Sequence, residues 1–217
     1  MKKRKIYEIT GSIMILIILH SCIIQMNSRK FDDGSTTLTH SDSLLIQPFN
    51  KTDFSKEINY NSPSDIKFQI IDAEKLAELL PAVPHTWITI GASWCPVSQQ
   101  SLIKFKKIAK EFDPDSLRWI FISQDYNLSK LQQQLFDAGI VHLSYLLDSE
   151  KYGKNEIFKQ EKFAKDLSED LPPQAFKGGG VPESMIINKD MHIEYLFGGI
   201  KINEDSIVKY TSLHLKK

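Results

Sequence analysis

Gly91-Ala92-Ser93-Trp94-Cys95-Pro96-Val97-Ser98 is the stretch on which the reading of this chain turns. Just before it, Trp87-Ile88-Thr89-Ile90 is apolar and β-branched, as a buried strand should be. Just after it, Pro96 to Phe112 places Leu102, Phe105, Ile108, Ala109 and Phe112 on one face at helical spacing. Cys95 therefore stands where a strand hands over to a helix. Pro96 suits the first helical position, where no N–H is needed and φ is pre-set. A cysteine at that end meets unpaired backbone N–H groups and the positive end of the helix dipole. Both favour thiolate over thiol.

Working outward, the pattern keeps alternating. Ile66 to Ile70 alternates apolar and polar and reads as a strand. Asp72 caps a short helix, Ala73 to Leu80, that ends near Pro81 and Pro84. Leu117 to Ile122 is nearly all apolar, as a central strand covered on both faces requires. Leu128, Leu131 and Leu135 mark an amphipathic helix stopped at Gly139, and His142 to Leu147 is a strand. Val181 to Asn188 and Met191 to Phe197 form a hairpin around Lys189-Asp190, and Glu204 to Leu215 is a last helix. Alternating strands and helices predict a sheet with parallel pairs covered by helices.

A second motif lies far downstream: Gly180-Val181-Pro182-Glu183-Ser184-Met185-Ile186-Ile187-Asn188. Taken together and in this order, the two motifs resemble the thioredoxin-like superfamily, over roughly residues 63 to 217. In that superfamily a strand leads into Trp-Cys-x-x-Cys, and a later strand begins at a cis-proline. The wording is closest to the membrane-tethered extracytoplasmic thioredoxin-like disulfide reductases. The resemblance implies an α/β, thioredoxin-like fold: a central mixed sheet flanked by helices, in a single domain. It implies that Cys95 is the nucleophile and that Trp94 and Ser98 shape its site. It also implies that Pro182 is cis and lies against Cys95, with the Val181 backbone free to pair with an extended substrate segment.

Two departures bear on mechanism. Ser98 stands where the family has its resolving cysteine, so Cys95 can form a mixed disulfide but cannot release it alone. Thr89 stands where thioredoxins carry a buried Asp that aids proton transfer. Between Asp148 and Gly180 the chain is also longer than in most relatives, an insertion around 149–180. Its charged part, Glu150 to Asp170, reads equally as an added helix or a solvated loop.

The N-terminus reads as an address. Lys2, Lys3, Arg4 and Lys5 precede an apolar run, Ile13 to Leu19. Leu19-His20-Ser21-Cys22 resembles a bacterial lipobox, which implies lipid attachment at Cys22 after removal of residues 1–21. The alternative is an uncleaved signal anchor over Ile6 to Ile24. Either way the basic end stays inside, and the domain lies outside the cytoplasm in a bacterial cell envelope, periplasmic and held at the membrane. Residues 22–62 are the lipidated cysteine and a tether, polar from Gln25 to about Ser43. Within it Leu44 to Tyr60 is more apolar and either packs on the domain edge or adds a strand.

Composition excludes other classes. Of 217 residues 41% are hydrophobic and 25% charged, enough for a real core. Lys+Arg and Asp+Glu are both 27, so nothing argues for nucleic acid as a partner. Two cysteines exclude a disulfide scaffold. Six histidines lack ligand spacing, so no metal is expected. No cofactor is expected either: Gly178-Gly179-Gly180 lacks the Lys-Ser/Thr of a phosphate loop. Trp87 and Trp119 read as core. A peroxiredoxin reading fails because Ala92 and Ile88 occupy the positions that need Thr or Ser and Pro.

Three functions stay open. The first is a single-cysteine thiol–disulfide oxidoreductase or isomerase, acting on proteins that bear cysteines or disulfides, with an external thiol or reductase as its resolving partner. The second is a thioredoxin-like module that captures partners without turnover. The third is an inactive fold in which Cys95 only packs.

Overall fold

The computed structural model describes residues 40–55, 57–125, 127–153, 156–167, 181–198 and 209. The expected last helix apart from Lys209, the tether to residue 39, Cys22 and the Gly178–Gly180 run lie outside the described residues. Six strands form one sheet: β1 (Phe68–Ile71), β2 (His85–Gly91), β3 (Leu117–Ser123), β4 (Ser144–Leu147), β5 (Glu183–Asn188) and β6 (Ile193–Gly198). Their order is β1-β4-β3-β2-β5-β6. The pairs among β1, β4, β3 and β2 are parallel, whereas β5 runs antiparallel to both β2 and β6. Among the described residues, besides a single helical turn at His40–Ser43, the helices are α1 (Ala73–Leu79), α2 (Pro96–Ala109), α3 (Leu128–Asp137), α4 (Ser149–Tyr152) and α5 (Glu156–Leu167). This is the expected α/β arrangement, a central mixed sheet between helical layers.

Strand alternation divides the core in two. Ile88, Ile90, Ile120, Ile122, Met185 and Ile187 pack with Leu76 and Leu79 of α1 and Phe163 and Leu167 of α5. Trp87, Trp119, Phe121 and Ile186 pack with Leu102, Phe105 and Ile108 of α2 and Leu128, Leu131 and Leu135 of α3. Both tryptophans are therefore core residues. The Asp72 carboxylate accepts the Lys75 amide at 2.8 Å and caps α1, a device worth about 1 kcal/mol.

Several boundaries shift for physical reasons. α2 stops at Ala109 rather than Phe112, because the Glu111 and Phe112 amides bond three residues back, to Ile108 and Ala109. The last turn is thus tightened. Ile66 ends a 3-10 turn (Pro63–Asp65), so β1 begins at Phe68. β4 begins at Ser144. Met191 belongs to the hairpin turn, with φ 65°, and β6 starts at Ile193. The Asn188 side chain fastens that turn by accepting the Asp190 and His192 amides, each at 3.0 Å.

Two open readings resolve. The charged stretch after β4 forms α4 and α5, with Tyr152, Phe163, Ala164 and Leu167 buried. The Ala73 amide donates to the Tyr152 hydroxyl at 2.9 Å, tying this insertion to α1. The stretch from Leu44 packs on the β1 edge and adds one parallel bridge, Ile46 to Phe68. Its Phe54 is buried, with the Arg118 guanidinium 4.9 Å over the ring. Among the described residues no helix is long and apolar enough to cross a membrane.

Candidate active site

β2 ends at Gly91, and space dictates that residue. A Cβ there would lie 2.6 Å from Phe121 Cε2 and 3.4 Å from Ser98 Oγ. The chain then turns through Ser93 and Trp94, and the Cys95 amide donates back to the Ala92 carbonyl at 3.1 Å. Cys95 is the N-cap of α2, with extended φ and ψ, and Pro96 takes the first helical position. The Cys95 side chain makes no capping bond. Instead its thiol donates to the Val181 carbonyl oxygen at 3.1 Å. The Val181–Pro182 peptide bond is cis.

Cys95 is 5% exposed, packed among Ala92, Val181, Trp94 and Val97. Cys95, Trp94 and Val181 therefore share one apolar cluster, with Pro182 next in sequence. Ser98 is buried in the first turn of α2, and its Oγ accepts the Ala92 amide at 3.3 Å. The Trp94 Nε1 is buried without a hydrogen-bond partner among the described residues. Thr89 is buried beneath the site. Its hydroxyl accepts from Trp119 Nε1 and pairs with the Ser184 hydroxyl, each at 2.9 Å.

Three features escaped the sequence reading. The first surrounds Asp125, just beyond the end of β3. Its carboxylate accepts the Ser93 amide at 2.5 Å, the Ser93 hydroxyl at 2.7 Å and the Ser123 hydroxyl at 2.6 Å. Burial pushes this carboxyl up from its ordinary range, against the lowering effect of the Ser123 and Ser93 hydrogen bonds. The second feature is a pair of amides on the Ser93 carbonyl, Gln99 Nε2 at 2.9 Å and Gln134 Nε2 at 2.8 Å. The third is Glu183, directly after Pro182, which accepts from Gln160 of α5. Desolvation pushes the Glu183 carboxyl up to about 8. For Asp125 the available signal was a polar residue just past the carboxyl end of an apolar strand, where open α/β sheets build their sites.

Among the described residues no three His, Cys, Asp or Glu side chains gather as metal ligands would. Among the described residues the chemistry on offer is that of one thiol at a helix N-terminus, beside the cis peptide before β5.

No protein-family model matches the chain, and no curated protein does. Solved structures of similar fold do. A thioredoxin-related protein from Neisseria meningitidis serogroup B is 16% identical, over 60% of this chain and 84% of its own, with TM-score 0.44. A thioredoxin-family thiol:disulfide interchange protein from Chlorobium tepidum TLS is 12% identical, over 67% and 91%, with TM-score 0.46. A thiol:disulfide interchange protein from Bacteroides sp. is 8% identical, over 64% and 77%, with TM-score 0.47.

Proposed function

We propose that this protein is a single-cysteine thiol–disulfide oxidoreductase or isomerase of the bacterial cell envelope, held at the membrane through lipid on Cys22. The observation that carries the reading is the placement of Cys95, the one cysteine after Cys22. It caps α2 and lies 3.1 Å from the Val181 carbonyl, with Ser98 one helical turn on.

The Cys95 thiolate attacks one sulfur of a substrate disulfide, R–S–S–R′. A bond forms between Cys95 and R–S, the old S–S bond breaks, and R′–S⁻ leaves and takes up a proton. Ser98 has no thiol to reverse this. An external thiol, R″–SH, loses its proton and attacks the R–S sulfur, giving R–S–S–R″ and restoring the Cys95 thiolate. If the external thiol is a reductase dithiol, R is released reduced. If it is another cysteine of the client, the client is isomerised. Val181 and Pro182 present the client segment, and Trp94 and Val97 give it an apolar seat.

The near-complete cover over Cys95 supports a second reading, capture without turnover, in which the client must first open the site. Turnover of a glutathionylated peptide by the full chain, with glutathione in excess, separates the two. The enzyme reading expects many equivalents of peptide released per Cys95 above the uncatalysed exchange with glutathione, and none above it with Cys95→Ala. Release that stops at one equivalent supports capture, and equal release by Cys95→Ala contradicts both.

A further inference from the structure

The loop that carries Cys95 is held by a group no thiol chemistry requires. Asp125 is 6% exposed, yet its two carboxylate oxygens take three donors, two of them from Ser93. Ser123 is bonded in both directions, since its hydroxyl also accepts the Asp125 amide at 3.1 Å. Ser93 is held at its third polar group by Gln99 and Gln134. Every polar atom of Ser93 is thus committed, two residues before the sulfur. A buried carboxylate is costly unless hydrogen-bonded, and a polar network satisfied in this way is rigid, so the set holds the turn in one geometry.

We propose that Asp125 is a positioning residue for Cys95: by binding the Ser93 amide and hydroxyl, it fixes the Ser93–Trp94–Cys95 turn and so sets the sulfur against the Val181 carbonyl. The inference rests on Cys95 being the nucleophile, and it adds a residue of β3's end to the machinery of that nucleophile. The β2–β3 register, Gly91 opposite Ser123, brings the two loops together. Asp125 touches no reacting atom and acts through Ser93.

The test compares Asp125→Ala with Asp125→Asn in the full chain. Two quantities are read in each: the rate at which oxidised glutathione forms a mixed disulfide at Cys95, and amide hydrogen exchange at Ser93 and Cys95. Asn can still accept the Ser93 amide and Ser123 hydroxyl while its NH₂ donates to the Ser93 oxygen. Asp125→Ala should slow the reaction by on the order of tenfold or more, as misplacing a reacting atom does. Exchange at Ser93 and Cys95 should rise in step, and Asp125→Asn should recover most of both. Equal losses in the two variants, or a lower melting temperature in Asp125→Ala with rate and exchange unchanged, would overturn the inference.

If the wild-type chain forms no mixed disulfide, the functional reading fails while exchange still decides the positioning. A rise confined to Ser93 and Cys95 upholds it, and no rise overturns it. Should Asp125→Ala not fold, Ser93→Ala and Ser123→Ala each remove one donor. Each should raise Ser93 exchange several-fold, and no change in either overturns the inference.

Discussion

The Cys95 sulfur and the Val181 carbonyl oxygen lie 3.1 Å apart, although 86 positions separate them in the chain. One comes from the start of α2 and the other from the bend before β5. Their meeting sets the sulfur against the cis peptide that leads into β5. On the proposed function, a client segment pairing with Val181 reaches the sulfur only by displacing the thiol from that carbonyl. Cys95→Ala should therefore abolish mixed-disulfide formation in the domain. It should cost no more than about 1–2 kcal/mol of stability, because a small apolar group still fills the site. Intact-mass detection and chemical denaturation of the same sample check both halves.

Ser98→Cys should convert a slow-release site into a self-releasing one. Residues three apart on a helix are neighbours, so the new thiol faces the mixed disulfide at Cys95. The adduct's lifetime without external thiol should fall at least tenfold, and oxidation should close a disulfide between Cys95 and the introduced thiol. Losing the oxygen that accepts the Ala92 amide should cost about 1 kcal/mol. Timed mass spectrometry after removal of free thiol measures the lifetime.

Glu183 should make stability fall as pH rises. Its folded-state value of about 8 lies above the ordinary 4.5, because burial disfavours the charged form. Between those values the unfolded chain has given up the proton and the folded chain still holds it. Stability is fully present below the lower value and is lost progressively up to the higher one, with a limiting slope of about 1.4 kcal/mol per pH unit. Exposure of part of the side chain softens that slope. Glu183→Gln, which stays neutral, should flatten the profile and gain on wild type at pH 8. Urea titrations at pH 5 and pH 8 read the difference.

Gly91→Ala should destabilise the domain by about 1–3 kcal/mol. The added methyl would meet the Phe121 ring at 2.6 Å, inside the sheet core. Phe121→Leu in the same chain should recover part of the loss. Melting curves of the single and double variants decide it, and additive losses would contradict the steric account.

The local sequence carried much of this molecule. Asp72 before an apolar repeat announced a capped helix, Leu117 to Ile122 announced a central strand, and Cys95-Pro96 announced a helix start. What stayed hidden depends on neighbours in space. Asp125 reads as a polar residue after a strand until β2 and β3 are laid side by side, which puts Ser123 against Gly91. Glu183 reads as an exposed strand start until α5 brings Gln160 to it. The insertion was ambiguous because, among the described side chains of its longer helix, buried Phe163, Ala164 and Leu167 share the chain with buried Lys159 and Gln160 and with exposed charge.

The most direct measurement treats the reduced full chain with oxidised glutathione under native conditions, then maps the adduct by peptide mass. The account predicts one glutathione on Cys95, persisting after free glutathione is removed and released when an external thiol is added. An adduct at Cys95 that appears only after denaturant would contradict it, and so would an adduct released with no thiol present.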